Sequence, residues 1–200
     1  MIEKLVIATR NPAKIEYYQQ LFCGIVKNII SLNDIDVDGK PQEIGDTAEE
    51  NAIIKAKYYS TKTSLPVFCE DESLFVDFLP SSKQPGTHVR RINGHNDATD
   101  EELFFYWENI IKDIPSKKRT GCWHIAYCLS VNGQFKTVAL DHPVLFYYPA
   151  SKIRIPGWPM SSLEGPVELG KPHSEGTAIE KNEALIHGTS IILEKLKELF

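Results

Sequence analysis

Apolar residues fall into short runs whose spacing changes along the chain. Leu5-Val6-Ile7-Ala8 is an uninterrupted run of the kind expected of a buried parallel strand. Asn11-Pro12 closes it with a favoured N-cap and a favoured first helical residue. Ile15, Tyr18 and Phe22 then recur at helical spacing until Gly24, and Ile25 to Leu32 predicts a second strand. Thr47-Ala48-Glu49-Glu50 has capping-box form and opens a helix to Tyr59 whose buried stripe is Ala52, Ile53, Ala56 and Tyr59. Val67-Phe68-Cys69 reads as a buried strand, and Leu74 to Asp77 resumes extended structure after the charged stretch Glu70-Asp71-Glu72-Ser73. A second capping box, Thr99-Asp100-Glu101-Glu102, precedes a helix running through Leu103 to Ile111. Cys122–Leu129 and Phe135–Leu140 flank Asn132-Gly133 and predict a hairpin, with a further strand over Val144–Tyr148. Ala150 to Thr177 is rich in loop residues, and Glu183 to Phe200 is amphipathic, weakened by Gly188.

Three places in this pattern carry chemistry. The strand that runs into Pro12 places helix N–H groups and a positive dipole end beside Thr9, Asn11 and Lys14. That makes either a phosphate cradle or an ordinary capped helix; without a Gly-rich loop it is neither a Walker loop nor a dinucleotide fingerprint. Asn51 and Lys55 lie four apart on one helix face, facing either solvent or a site. Three successive carboxylates, Glu70, Asp71 and Glu72, sit between apolar segments, where like charges resist desolvation. They form either a solvated turn or a site for a hard cation such as Mg²⁺. The acidic segment Asn33 to Glu43 could add a further ligand or simply be solvated.

Two hundred residues suffice for one large domain or a domain with an added lobe. Hydrophobic and charged fractions of 42% and 24% are those of a soluble globular protein. A net charge of −5 argues against a general nucleic-acid backbone binder. Four cysteines without a CxxC pair fit buried reduced thiols, and hence a reducing compartment. The apolar run near the start is too short for a signal peptide and no stretch reaches membrane-spanning length. The expectation is a cytoplasmic protein with neither a membrane nor a nucleic-acid partner.

Three segments stand in a recognisable order: Thr9-Arg10-Asn11-Pro12-Ala13-Lys14-Ile15-Glu16, Glu50-Asn51-Ala52-Ile53-Ile54-Lys55-Ala56, and Glu70-Asp71-Glu72-Ser73-Leu74-Phe75-Val76-Asp77. Together they resemble the inosine triphosphate pyrophosphatase family, hydrolases of non-standard purine nucleoside triphosphates. The first fits that family's TxNxxKxE pattern at all four fixed positions, and the second its NAxxKA pattern. The third is similar to its DDSGLxVDAL segment; Pro85-Gly86, Arg91 and Glu180-Lys181-Asn182 fall where the family carries Pro-Gly, Arg and EKN. The resemblance implies an α/β fold: a single domain over residues 1–200, with an elongated, curled, mixed central sheet flanked by helices, and two lobes bounding a nucleotide cleft. It implies a Mg²⁺-dependent homodimer, with Mn²⁺ as a substitute, that converts a nucleoside triphosphate to pyrophosphate and a monophosphate.

Carried over by position, Thr9, Asn11 and Lys14 hold the triphosphate, helped by Arg10, Asn51 and Lys55. Asp71 is the catalytic base and a metal ligand, with Glu70, Asp36 and Glu43 as further metal ligands and Glu72 beside the phosphates. The resemblance puts Lys181 at phosphate or base and Gly157 in the base loop; Trp158, His187, Arg90 and Arg91 are candidates for the base pocket, or else a packing aromatic, a helix-surface histidine and solvated loop charges. Three departures point to an altered base pocket. The family's Asp-Asp-Ser-Gly is Glu70-Asp71-Glu72-Ser73 here, its FGYDP or FGWDP loop is Pro156-Gly157-Trp158-Pro159-Met160, and its SHR after EKN is not preserved. These also admit an alternative, a nucleotide-binding or sensing protein with weak turnover. A Maf-like hydrolase would lack the EKN segment.

Overall fold

The computed structural model describes residues 2–35, 37–95, 97–177, 179–180, 190 and 194–195. The expected C-terminal helix over 183–200 lies largely outside them, as do Asp36, Lys181 and His187. Among the described residues six strands form one mixed sheet, in the order β2-β1-β3-β4-β5-β6, and helices accompany it, as expected of the α/β class. They are β1 (Ile2–Ile7), β2 (Val26–Ser31), β3 (Val67–Val76), β4 (Thr120–Val131), β5 (Gln134–Phe146) and β6 (Glu164–Pro166). The α-helices that lie wholly within the described residues are α1 (Pro12–Leu21), α2 (Ala48–Ser60) and α3 (Asp100–Ile111). The chain divides into two compact units, one of Met1–Glu72, Ile125–Leu140 and Ile191–Phe200, the other of Ser73–His124 and Asp141–Ser190.

In the first unit β1 pairs in parallel with both β2 and β3. Its apolar run is buried on both faces, and the two-residue period of a strand decides which residue meets which helix. Leu5 and Ile7 pack with Tyr18, Leu21 and Phe22 of the α1 segment, together with Phe68 of β3. Val6 packs on the other face with Ala48, Ala52, Ala56 and Tyr59 of α2, together with Val67 and Cys69. Each fully buried Leu or Ile contributes about 1.5–3 kcal/mol, so these alternating positions fix the register strongly. The β4–β5 hairpin turns through Asn132 and Gly133, at φ values of 50° and 76°, the conformation a two-residue primed turn requires.

Two expected boundaries change. Glu70 to Ser73 is not a turn between two strands: β3 is one continuous strand and the carboxylates lie in its middle. Nor is the stretch after Leu140 a separate strand, because β5 continues through Pro143 to Phe146.

In the second unit α3 buries Leu103, Phe104, Trp107 and Ile111 against Leu74, Val76, Val144, Phe146 and Leu163. Its expected capping box is present: Glu102 N–H donates to Thr99 Oγ1 at 3.2 Å, and Thr99 N–H to Glu102 Oε2 at 2.9 Å. Thr99→Ala is expected to cost about 1 kcal/mol in urea unfolding, whereas Thr99→Asp, which accepts the same bond, loses little.

Candidate active site

Strand order reverses around β1, with β2 on one side and β3 on the other. At such a switch point α/β sheets open a crevice beyond the carboxyl ends of their strands. A cavity of about 90 Å³ lies there, lined by Ile7, Ala8, Thr9, Lys14, Tyr18, Lys55, Phe68 and Glu70. At about 30 Å³ per water it has room for about three waters, and it is well below the volume of a whole-ligand pocket. It can take a phosphoryl-sized group.

The charges around this cavity follow from the alternation along β3. Phe68, Glu70 and Glu72 share the α1 face, and Val67, Cys69 and Asp71 the α2 face. Lys14 of α1 therefore meets Glu70 at 2.5 Å and Glu72 at 3.4 Å. Lys55 of α2 meets Asp71 at 2.5 Å, donates to the Glu70 carbonyl at 3.1 Å and lies 3.3 Å from Glu43. Burial alone would favour the neutral amine at Lys14, but Glu70 and Glu72 outweigh it and raise its pKa. Lys55 is likewise raised, with Asp71 and Glu43 prevailing over burial. Burial also pushes the Asp71 and Glu70 carboxyls upward; Lys55 and Lys14 respectively offset only part of that rise, and neighbouring carboxylates add to it. A carboxyl so raised accepts a proton more readily than an exposed one.

The helix start is written as the sequence predicts. Asn11 Oδ1 accepts from Ala13 N–H at 3.0 Å, and Thr9 Oγ1 accepts from Asn11 N–H at 3.1 Å. Thr9 thus joins Lys14, Lys55 and Glu70 at the cavity, with Asn11 adjoining.

Two expected substrate-binding residues are engaged elsewhere. Arg10 donates to the carbonyls of Val37, at 2.7 Å, and Gly39, at 3.4 Å. The Asn51 side chain is buried and spent on Gly45: it accepts from the Gly45 N–H at 2.8 Å and donates to its carbonyl at 3.3 Å. The Tyr58 hydroxyl donates to the Asp38 carbonyl at 2.9 Å. These residues clamp the acidic loop that brings Glu43 to Lys55. A side chain at Gly45 would collide with Glu50 Cβ at 2.7 Å and Asn51 Oδ1 at 2.8 Å, so the loop requires glycine there.

Of the residues expected to face the base, Arg90, Arg91, Gly157 and Trp158 lie in the second unit. Gly157, at φ 81°, donates its N–H to Asp100 Oδ2 at 2.8 Å, and Arg90 donates to Asp100 Oδ1 at 2.7 Å. Trp158 N–H donates to the Ile155 carbonyl at 3.0 Å and the ring is half-buried. Arg91 is exposed and lies 3.0 Å from His88 Nε2. Asp100 was not among the expected site residues; its place in the capping box gave it a sufficient local role. Tyr18 was missed too, being counted only with the apolar stripe of α1. A larger recess of about 320 Å³ in this unit, lined among others by Arg119, Tyr147, Tyr148 and Glu175, carries none of the expected residues.

Among the described residues no group of three or more His, Cys, Asp or Glu is arranged to hold a metal ion. Asp71 and Glu43 nevertheless converge on one cation, the Lys55 ammonium. Two hard carboxylates completed by water and substrate phosphates are the usual Mg²⁺ arrangement, so the donor set fits such an ion.

A mixed α/β sheet with a charged crevice at its switch point defines a broad class, and the comparisons narrow it. The profile of the Ham1 family matches residues 5–139. The chain belongs to that family, which bears out the resemblance read from its three motifs. It is 31% identical to a dITP/XTP pyrophosphatase of Thermoanaerobacter sp. (strain X514), covering 98% of this chain and 99% of that protein. It is 36% identical to the dITP/XTP pyrophosphatase of Photorhabdus laumondii over 59% of this chain and 58% of that one. The fold matches the nucleoside-triphosphatase / dITP/XTP pyrophosphatase of Mycobacterium abscessus with a TM-score of 0.71 at 23% identity, over 95% of this chain and 97% of that one. It matches a HAM1 protein from Coxiella burnetii equally, with a TM-score of 0.71 at 22% identity, over 96% and 100%.

Lys55→Met would leave Asp71, 5% exposed, without its cation. Loss of one partner of a buried pair costs about 3 kcal/mol or more. The Asp71 carboxyl, already raised in the folded state, would rise further and stay protonated at low pH. The folded variant then binds more protons than the unfolded chain, so its stability falls as pH rises. Urea unfolding should show a small deficit near pH 4, about the usual Asp pKa, growing towards about pH 8.

Proposed function

We propose that this protein is a Mg²⁺-dependent nucleoside triphosphate pyrophosphohydrolase, releasing pyrophosphate and a nucleoside monophosphate. One observation carries the reading: Lys14 and Lys55 line a single cavity at the β1 switch point, and Asp71 lies 2.5 Å from Lys55. The dITP/XTP pyrophosphatase names of full-length relatives support the same reaction.

In this reading Thr9, Asn11 and Lys14 hold the phosphates at the start of α1, where backbone N–H groups and the helix dipole favour anions. The Glu70 and Glu72 carboxylates hold Lys14, and phosphate oxygens replace them when substrate enters. Asp71 directs a water at the α-phosphorus and takes its proton. Asp71 and Glu43 would hold the divalent ion, Mg²⁺ or Mn²⁺, which would supply charge neutralisation and alignment of the phosphates. Lys55 holds the two carboxylates together.

The base end differs from that of the resembled family. Trp158 offers a stacking face, while Pro159 supplies no charge-assisted acceptor where an aspartate would stand. The substrate is therefore a nucleoside or deoxynucleoside triphosphate, of the non-standard purine class or a modified relative, selected more by stacking and shape than by a carboxylate at position 159. A cytoplasmic homodimer completes the reading.

A sensing protein is the competing interpretation, favoured by the two carboxylates that hold Lys14. Pyrophosphate release across a panel of nucleoside triphosphates separates the two. The wild type should turn over with Mg²⁺ and stop with a chelator. Asp71→Asn should lower kcat by about 100-fold or more while nucleotide still binds in calorimetry. A wild type that binds nucleotide but releases no pyrophosphate with Mg²⁺ or Mn²⁺ would establish the sensor instead.

A further inference from the structure

The phosphate cavity contains a polar side chain with an unmet hydrogen bond. Tyr18 lines it together with Thr9, Lys14, Lys55 and Glu70. The residue is 1% exposed, and its hydroxyl meets no donor or acceptor among the described residues. Its ring is well used, edge-on to Tyr17 and Phe68 at 5.2 Å each and stacked on Phe22 at 5.9 Å. A phenylalanine would keep all of these contacts. A buried hydroxyl that finds no partner among the described residues is satisfied from the cavity it lines, by water or by the ligand that displaces it.

Its position says what that partner is. Tyr18 follows Lys14 by four residues, so the two lie on one face of α1. A helical side chain leans back toward the N-terminus of its own helix, which takes Tyr18 toward Lys14 and the anion-favouring end. The residues around the cavity that answer to an anion are Lys14, Lys55 and the Thr9 hydroxyl; a phenol adds a neutral donor to that set. We propose that Tyr18 is a further substrate-binding residue, whose hydroxyl donates a hydrogen bond to an oxygen of the pyrophosphate end of the nucleotide. The assignment rests on the cavity being the polyphosphate seat.

Tyr18→Phe tests it, since only one oxygen is removed. Binding of inorganic pyrophosphate with Mg²⁺ by calorimetry should weaken about 10-fold, the worth of a hydrogen bond to a charged acceptor. KM for the nucleoside triphosphate should rise with it, and the melting temperature should hold or increase, which a merely structural hydroxyl would not combine. Lys14→Gln is measured alongside. If Lys14→Gln loses pyrophosphate and Tyr18→Phe binds it like the wild type, the Tyr18 assignment is overturned and the cavity keeps its role. If neither variant changes pyrophosphate binding, the cavity is not the polyphosphate seat and both assignments fall.

Discussion

The two-residue period of β3 governs the site. Because consecutive side chains of a strand leave on opposite faces, Glu70 and Glu72 go to α1 while Asp71 goes to α2. Each helix answers with one lysine. A slip of one residue would reverse every assignment, leaving Asp71 beside Lys14 and carrying Phe68 out of its core. What forbids the slip is apolar: Phe68 belongs with Tyr18 and Phe22, and Val67 and Cys69 with the alanine stripe of α2. The hydrophobic core on both faces of β1 and β3 thus sets the register, and the register places the carboxylates. Burying these charges is costly, and pairing recovers only part of that cost, as the raised carboxyl pKa values of Glu70 and Asp71 show. A charged crevice that stability alone would not favour is held by packing several residues away.

How much of this was legible in the sequence depended on whether the deciding interaction was local. The β1–α1 boundary was, because Asn11 caps the helix that Pro12 begins and both lie within one turn. So were the caps at Thr47 and Thr99. The continuity of β3 was not. Three adjacent carboxylates read as a turn because such charges normally seek water, and the lysines that admit them into a strand lie 56 and 16 residues away. Family motifs named the candidate site residues but not their direction. Asn51 and Arg10 stand in matched segments, yet the one is spent on Gly45 and the other on the carbonyls of Val37 and Gly39. They shape the loop that carries Glu43. For Tyr18 the difficulty was the reverse: its helical spacing explained the ring completely and left the hydroxyl unexamined.

The departures from the resembled family can be sorted by the same distinction. On β3, Glu72 changes the charge of a position whose neighbours are fixed by strand register, and it is absorbed because it falls on the face where Lys14 already stands. The loop around Trp158 is held differently. It has no strand register; local backbone bonds, Trp158 N–H to Ile155 and Ser161 N–H to Trp158, hold it together with Asp100, which binds the Gly157 N–H through one oxygen and Arg90 through the other. Such an attachment uses backbone groups of the loop and leaves its half-buried side chains open to substitution. Replacement of an aspartate by Pro159 is of that kind. Divergence should therefore collect at the loop proposed to read the base, while the proposed phosphate end stays close to the family pattern because altering it means repacking both faces of β1 and β3.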